Sequence, residues 1–245
     1  MDHTRGGPSQ IWLVFLLVLV LYTVGMLWLE ASTSQEYVRL YFTDIGMAHR
    51  EGRFAAADGD IGYGFNTTLS AFLLASAGVL LIFGGSAACM EDRDRKLLFI
   101  LQGIILIYLG ADDRFMLHER IGAAVGVYST AILALAALAN GLVYLRFFRF
   151  SALDHRAVIL LVLAVGLTGA MMCFDLLIPK QLPLRLSGED LLKVWASWFF
   201  FRFAWEAVRF RLVSQPAGQP AFAVPEKLLA MVPGRLRRLL VTRFA

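Results

Sequence analysis

Residues 11–29 read IWLVFLLVLVLYTVGMLWL, an apolar stretch of nineteen positions without one charged side chain. A helix needs about twenty such residues to cross the ~30 Å hydrocarbon core of a bilayer. A cleaved signal peptide is the alternative interpretation, but this stretch is long for one, and no clear small-x-small cleavage site follows close behind it. We therefore predict a retained transmembrane helix, and this helix decides the class of the whole fold.

Further apolar blocks of similar length follow along the chain, at residues 67–88, 97–117, 122–146, 156–178 and 190–212. None alternates apolar and polar positions as the strands of a membrane barrel do, so each is predicted to be a helix. Of the 245 residues, 58% are hydrophobic and only 17% are charged, and the mean hydropathy is +0.65. The expected fold is an all-α membrane protein, a bundle of about six transmembrane helices that occupies residues 1–212.

The distribution of Lys and Arg predicts the orientation. These residues are about twice as frequent in the N-terminal segment, the alternate loops and the C-terminal tail as in the loops between them, which places both termini in the cytoplasm. The loop 30–66 is then extracytoplasmic. The cytoplasmic tail 213–245 mixes apolar residues with arginines, so it is either an amphipathic helix that binds anionic lipids or a disordered basic end. We expect the lipid bilayer to be the partner of this chain, and no nucleic acid.

Ionisable residues gather where the third block ends, in LGADDRFMLHERIG at 109–122. The end of this block is expected to lie within the hydrocarbon of the bilayer, where charged groups cost several kcal/mol unless they are paired or hydrated. The cluster therefore points to a functional site. On a straight helix Asp113, His118 and Glu119 lie on different faces, so a site here needs a helix end near Leu117 or residues from neighbouring blocks. The predicted catalytic residues are Asp113, His118 and Glu119. The predicted ligands of a divalent metal ion are Asp112, His118, Glu119, Glu189 and Asp190, the last two from the start of the sixth block.

The stretch LGADDRFMLHE resembles the signature of a family of uncharacterised bacterial polytopic membrane proteins. In that family a D-[DE]-x-x-x-L-H-E motif ends one span, and an E-[ED]-x-x-K element opens a later span. The positions that match the two motifs here are Asp112, Asp113, Leu117, His118 and Glu119, and then Glu189, Asp190 and Lys193. The resemblance implies a multi-pass protein of the bacterial inner (plasma) membrane, and it implies no activity.

Three functional hypotheses remain open. A divalent metal at the outer leaflet could activate water in a hydrolase or transferase that acts on a lipid-like substrate. The same acids and histidine could instead couple a transporter to protons or cations. The third is a non-catalytic sensor or assembly subunit, in which acids and arginines merely pair as polar contacts between helices. In the inner half of the sixth block, the spacing of Arg202, Glu206 and Arg209 predicts a local ion-pair ladder.

Overall fold

The computed structural model describes residues 10–33, 38, 64–86, 93–147, 155–179, 182 and 184–213. Within these ranges the chain is all-helical and contains no strand, which confirms the predicted all-α class. The helices are α1 Gln10–Ser32, α2 Phe65–Ser86, α3 Arg93–Phe115, α4 Leu117–Val125, α5 Ser129–Phe147, α6 His155–Leu177 and α7 Arg185–Val213. The tail from residue 214 and most of the loop 30–66 lie outside the described residues, so the expectations for both stay predictions.

Three helices in the described ranges are long and apolar enough to cross a membrane, namely Gln10–Ser32, Phe65–Ser86 and His155–Phe174. Helix α1 also leaves large apolar side chains exposed, among them Leu13, Phe15 and Leu21. A water-soluble surface rarely carries so large an apolar area, whereas lipid covers it at no cost. The helices therefore indicate a membrane protein.

The predicted block 122–146 is divided between α4 and α5. Helix α4 ends at Gly126, whose φ of 73° is left-handed, and the N–H of Val127 bonds to the carbonyl oxygen of Gly122 at 3.0 Å. This is the hydrogen-bond pattern with which glycine commonly ends a helix, because a residue without Cβ adopts a positive φ without strain. Helix α5 begins only at Ser129, and the short helix α4 lies between α3 and α5 in the chain and contacts both.

The chain divides into two compact units. The first consists of residues 1–68 and 167–195, and its small apolar core contains Met26, Val38 and Leu191. In this unit the indole N–H of Trp195, about three turns into α7, donates to the hydroxyl oxygen of Thr23 on α1 at 2.9 Å.

The second unit consists of residues 69–166 and 196–245, and it holds the larger core. Helices α2 and α3 approach closely in this unit: a methyl group on Gly78 would lie 2.5 Å from the carbonyl oxygen of Gly103. Helix α3 also contacts α4 and α5, and α4 contacts α5. This packing supports the junction between α3 and α4. The buried apolar residues of the core are Leu74, Ala77, Leu81, Phe99, Leu106, Ala157, Leu161, Ala164, Phe200, Phe203, Ala204 and Ala207.

Candidate functional site at the junction of α3 and α4

A break in the helix separates α3 from α4 at Met116. Its φ of 52° and ψ of 45° are left-handed, a conformation that costs a residue with a side chain about 1–2 kcal/mol. The Met116 N–H still bonds to the carbonyl oxygen of Asp112 at 2.8 Å, so α3 keeps its last turn. Met116 is itself buried, and burial of its side chain offsets part of the strain. The sequence required a helix end near Leu117 for a local site, and the chain has such an end.

The carboxylate of Asp112 bonds twice to His118. Its Oδ1 accepts from the backbone N–H of His118 at 2.6 Å, and its Oδ2 lies 2.8 Å from the ring Nδ1. The first contact caps α4, because the opening N–H groups of a helix have no partner within it. The second contact orients the imidazole ring. The side chain of Asp112 is only 6% exposed and that of His118 is 20% exposed, so the carboxylate is buried while part of the imidazole side chain reaches the surface.

The pair has the arrangement of an oriented acid–base group. We assign the Nδ1 proton to the contact with the carboxylate, since an ionised carboxylate can only accept. The lone pair on Nε2 is then left to take up a proton or to bind an electrophile or metal ion. Among ordinary side chains, imidazole is the one that changes charge near neutral pH, which suits it to transfer protons.

Asp113 has a different partner. Its carboxylate accepts a short hydrogen bond from the hydroxyl of Ser70 on α2, and Ser70 is fully buried. The two neighbouring acids thus have different partners: Asp112 bonds to His118, and Asp113 bonds to Ser70 on the adjacent helix. Among the described hydrogen bonds, none joins Asp113 to His118. Glu119 lies in the first turn of α4, where the helix dipole favours a negative charge.

The two acids predicted from the sixth block form ion pairs on their own helix. Glu189 Oε2 lies 2.7 Å from Arg185 Nη1, and Asp190 Oδ1 lies 3.6 Å from Lys193 Nζ. Arg185 is buried and also donates from Nε to the carbonyl oxygen of Ile178 at 3.3 Å, just beyond the end of α6. These contacts favour a structural role for both acids, as pairing neutralises charge within the bundle.

Within the described ranges, no three His, Cys, Asp or Glu side chains form a group that could hold a metal ion. Asp112 and His118 would supply two ligands, and these already bond to each other. The five-residue metal site expected from the sequence stays a prediction.

Sequence reasoning missed Glu30. This carboxylate is only 7% exposed, accepts from the N–H of Leu184 at 3.1 Å and receives a short bond from the hydroxyl of Ser187. Leu184 has a left-handed φ of 62° and immediately precedes α7, so Glu30 caps that helix as Asp112 caps α4. The available signal was an acid directly after a nineteen-residue apolar block. Such a position usually marks only the end of a span, which is why the pattern did not reveal it.

Two further polar contacts involve helices α7 and α2. Glu206 lies 3.0 Å from Arg202 Nη2 and 3.5 Å from Arg209 Nε, so the predicted ion-pair ladder in α7 is confirmed. Ser70, the partner of Asp113, was also missed, since a serine at the start of an apolar block is unremarkable by pattern. Its role depends on the antiparallel approach of α2 to α3, which only packing defines.

Comparison with known proteins identifies the family. Residues 12–206 match the model of a domain of unknown function, DUF8692, and the chain belongs to this family. The match extends from α1 into α7 and includes the α3–α4 junction. No curated protein and no solved structure matches the chain. Membership agrees with the expected uncharacterised family, whereas the two motifs and the bacterial origin stay predictions.

Proposed function

We propose that the α3–α4 junction is the reactive site of a membrane enzyme, in which His118 transfers a proton to or from a lipid-like substrate. The observation that carries the proposal is that one buried carboxylate, that of Asp112, makes two hydrogen bonds to His118. Asp112 holds both the backbone and the ring of this residue, which leaves one ring nitrogen free in a defined direction. Fixed orientation of a proton-transferring group is the condition for general acid–base catalysis.

The proposal includes the membrane topology. In the described ranges, six helices have nineteen residues or more, and each overlaps one of the six apolar blocks. A helix of that length spans most of a bilayer. Six crossings bring both termini to the same side, and the bias of Lys and Arg assigns that side to the cytoplasm. The α3–α4 junction then lies at the extracytoplasmic leaflet of a bacterial inner membrane, where lipid can reach it from the side.

The enzyme proposal is tested by the lipids of cells that make the protein. Untargeted lipid analysis compares a bacterial host carrying the full chain, His118→Gln, His155→Gln or an empty vector. His155 is an exposed residue at the start of α6 and serves as the matched control. We expect one or more lipid species to differ from the empty vector with the wild type and with His155→Gln, and not with His118→Gln. Lipid changes in His118→Gln equal to those of the wild type would refute the role of His118.

The transport and sensor alternatives stay predictions, and the same proteins separate them. Proteoliposomes that contain the purified chain and a pH-sensitive dye report proton movement directly. Proton flux that His118→Gln abolishes, together with unchanged lipids in cells, would replace the enzyme by a transporter. Neither flux nor a change in lipids would leave the non-catalytic role as the better account.

The metal-dependent form of the proposal has its own test. Elemental analysis of the purified chain, with His118→Ala as the control, measures whether a divalent ion is retained in proportion to protein. A metal that the wild type retains and His118→Ala loses would support the predicted ligand set. Equal metal content in both would leave His118 as an acid–base group without a metal ligand role.

A further inference from the structure

Helix α4 and the turn that follows it expose an apolar patch. Ile121 and Val125 are exposed residues of the helix, and Val125 is 68% exposed. Successive residues of an α-helix are about 100° apart, so these two lie on one side of α4. Together with Val127 and Tyr128, both exposed after the helix, they form the apolar patch. Contiguous patches of this kind mark surfaces that contact a membrane or another protein.

The charged residues of α4 lie away from the apolar patch. Glu119, Arg120 and Ala123 are turned by about 100° or more around the helix from both apolar residues of α4. Arg120 and Ala123 are exposed, so this other side of the helix is a surface as well. A helix with separate apolar and charged surfaces is typical of the boundary between lipid and water, where its apolar side enters the leaflet.

The position of α4 in the chain favours lipid as the occupant of the apolar patch. Helix α3 has 23 residues and is about 34 Å long, slightly more than the ~30 Å thickness of the hydrocarbon. In the proposed topology α4 therefore begins where the chain leaves the hydrocarbon. The exposed Phe115 at the end of α3 continues the apolar surface up to the junction, and an exposed tyrosine such as Tyr128 is typical of the headgroup level. Lipid that surrounds α3 thus reaches the patch directly.

His118 lies on the apolar side of α4. It precedes Ile121 by three positions and Val125 by seven, so the three residues lie within about 60° around the helix. The side chain of His118 is partly exposed, whereas Gly122, on the same side, is buried. The imidazole therefore reaches the surface beside the apolar patch and not on the charged side of the helix.

We infer that α4 is an interfacial helix whose apolar patch is embedded in the outer leaflet, and that its depth directs His118 to the glycerol level of a lipid. The inference rests on the proposed function of this junction. It names the substrate class as lipids with ester or phosphoester bonds where the headgroup meets the acyl chains. The far end of the headgroup and the ends of the acyl chains lie beyond a side chain held at this depth.

The depth of α4 is measured by electron paramagnetic resonance on the full chain in vesicles of phosphatidylethanolamine and phosphatidylglycerol. The native Cys89 and Cys173 are replaced by serine, or by alanine should the serine background fail to fold, and one spin label is placed at Ile121→Cys, Val125→Cys or Ala123→Cys in turn. The labels at 121 and 125 should collide more often with oxygen, which concentrates in lipid, and the label at 123 more often with a water-soluble nickel chelate. A preference for nickel at all three positions would place the apolar patch in water. Exclusion of both reagents at 121 and 125 would mean that protein covers it, and either result overturns the inference.

A second experiment links this depth to the substrate. Val125→Asp puts a charge in the apolar patch, and Ala123→Asp puts the same charge on the other side of α4. Both positions are exposed, so neither change disturbs a packed core. In cells, Val125→Asp should lose most of the lipid conversion that depends on His118, and Ala123→Asp should keep it. Equal conversion in the two variants, whether kept or lost, would overturn the inference; should Val125→Asp fail to fold, Val125→Ser is judged by the same comparison.

The chemistry of the converted lipids tests the substrate class. They should differ from their precursors by a whole acyl chain or a whole headgroup. Species that differ only within an acyl chain, or only at the far end of the headgroup, would overturn the substrate class. Labels in lipid without any lipid conversion by the wild type would support the position of α4 and refute the proposed enzyme. Conversion that depends on His118, with the labels of the apolar patch in water, would support the enzyme and overturn this inference.

Discussion

Replacement of Asp112 by alanine should destabilise the protein more than any other single change at the α3–α4 junction. The variant removes both oxygens that bond to His118, at 2.6 Å to the backbone and 2.8 Å to the ring. Loss of a helix cap costs about 1 kcal/mol, and loss of a hydrogen bond to a charged group costs about 1.5–3 kcal/mol. The free energy of unfolding should therefore fall by about 2.5–4 kcal/mol in Asp112→Ala.

Asp112→Asn separates the two contributions. The amide oxygen of asparagine can still accept from the backbone N–H of His118, so the cap remains while the carboxylate is lost. We expect a loss of about 1–2 kcal/mol, smaller than in the alanine variant. The measurement is reversible unfolding in mixed micelles of dodecyl maltoside and sodium dodecyl sulfate, followed by circular dichroism.

The control is an aspartate at the opposite end of the same helix. The half-buried Asp94 lies 3.9 Å from the exposed Arg146, a long and partly solvated contact, so Asp94→Ala should cost no more than about 1 kcal/mol. If Asp112→Ala were no more destabilising than Asp94→Ala, Asp112 would not be the cap of α4. If Asp112→Asn lost as much stability as Asp112→Ala, the backbone contact would contribute nothing, and the reasoning would fail at that step.

Three further changes test the packing and the second capped helix. Gly78→Ala should lower the free energy of unfolding by about 1–3 kcal/mol, because its methyl group would overlap the carbonyl of Gly103. The control is Gly141→Ala, which should not be destabilising because the space around Gly141 is open. The same unfolding titration measures both. Glu30→Ala should cost about 2–3 kcal/mol, since it leaves the first turn of α7 uncapped within the protein; a loss below about 0.5 kcal/mol would show that water replaces the carboxylate. Gly126→Ala should cost about 1 kcal/mol through its positive φ, and an unchanged midpoint would mean that the turn relaxes.

The sequence predicted helices well because hydrophobicity acts locally. Each of the six apolar blocks corresponds to a long helix within a few residues at most ends, as a helix in lipid must satisfy its backbone internally. The one block that the sequence joined incorrectly is 122–146, where Gly126 ends α4. A single glycine is compatible with either a continuous helix or a helix end, and only the hydrogen bond from Val127 to Gly122 decides between them.

The candidate site was predicted in part. The cluster around His118 was visible because charge is costly in an apolar block, and that argument needs no knowledge of packing. The partners were not visible. Asp113 bonds to Ser70 across two helices, and Glu30 caps a helix that begins more than 150 positions later in the chain. Such contacts depend on which helices pack together, and spacing along one helix carries no information about that.

The sequence by itself determined that this chain folds as apolar helices, from the composition of residues 11–29 and of the five blocks after them. A helix that long and that apolar is stable only in lipid or in a protein core. The tertiary structure decided which ionisable groups meet. Met116 turns α4 back so that Asp112 reaches both the backbone and the ring of His118, while Asp113 is left to Ser70. The physical reason is that hydrophobic burial is non-directional and can be summed from a sequence, whereas a hydrogen bond requires two atoms within about 3 Å, and only the folded backbone brings them there.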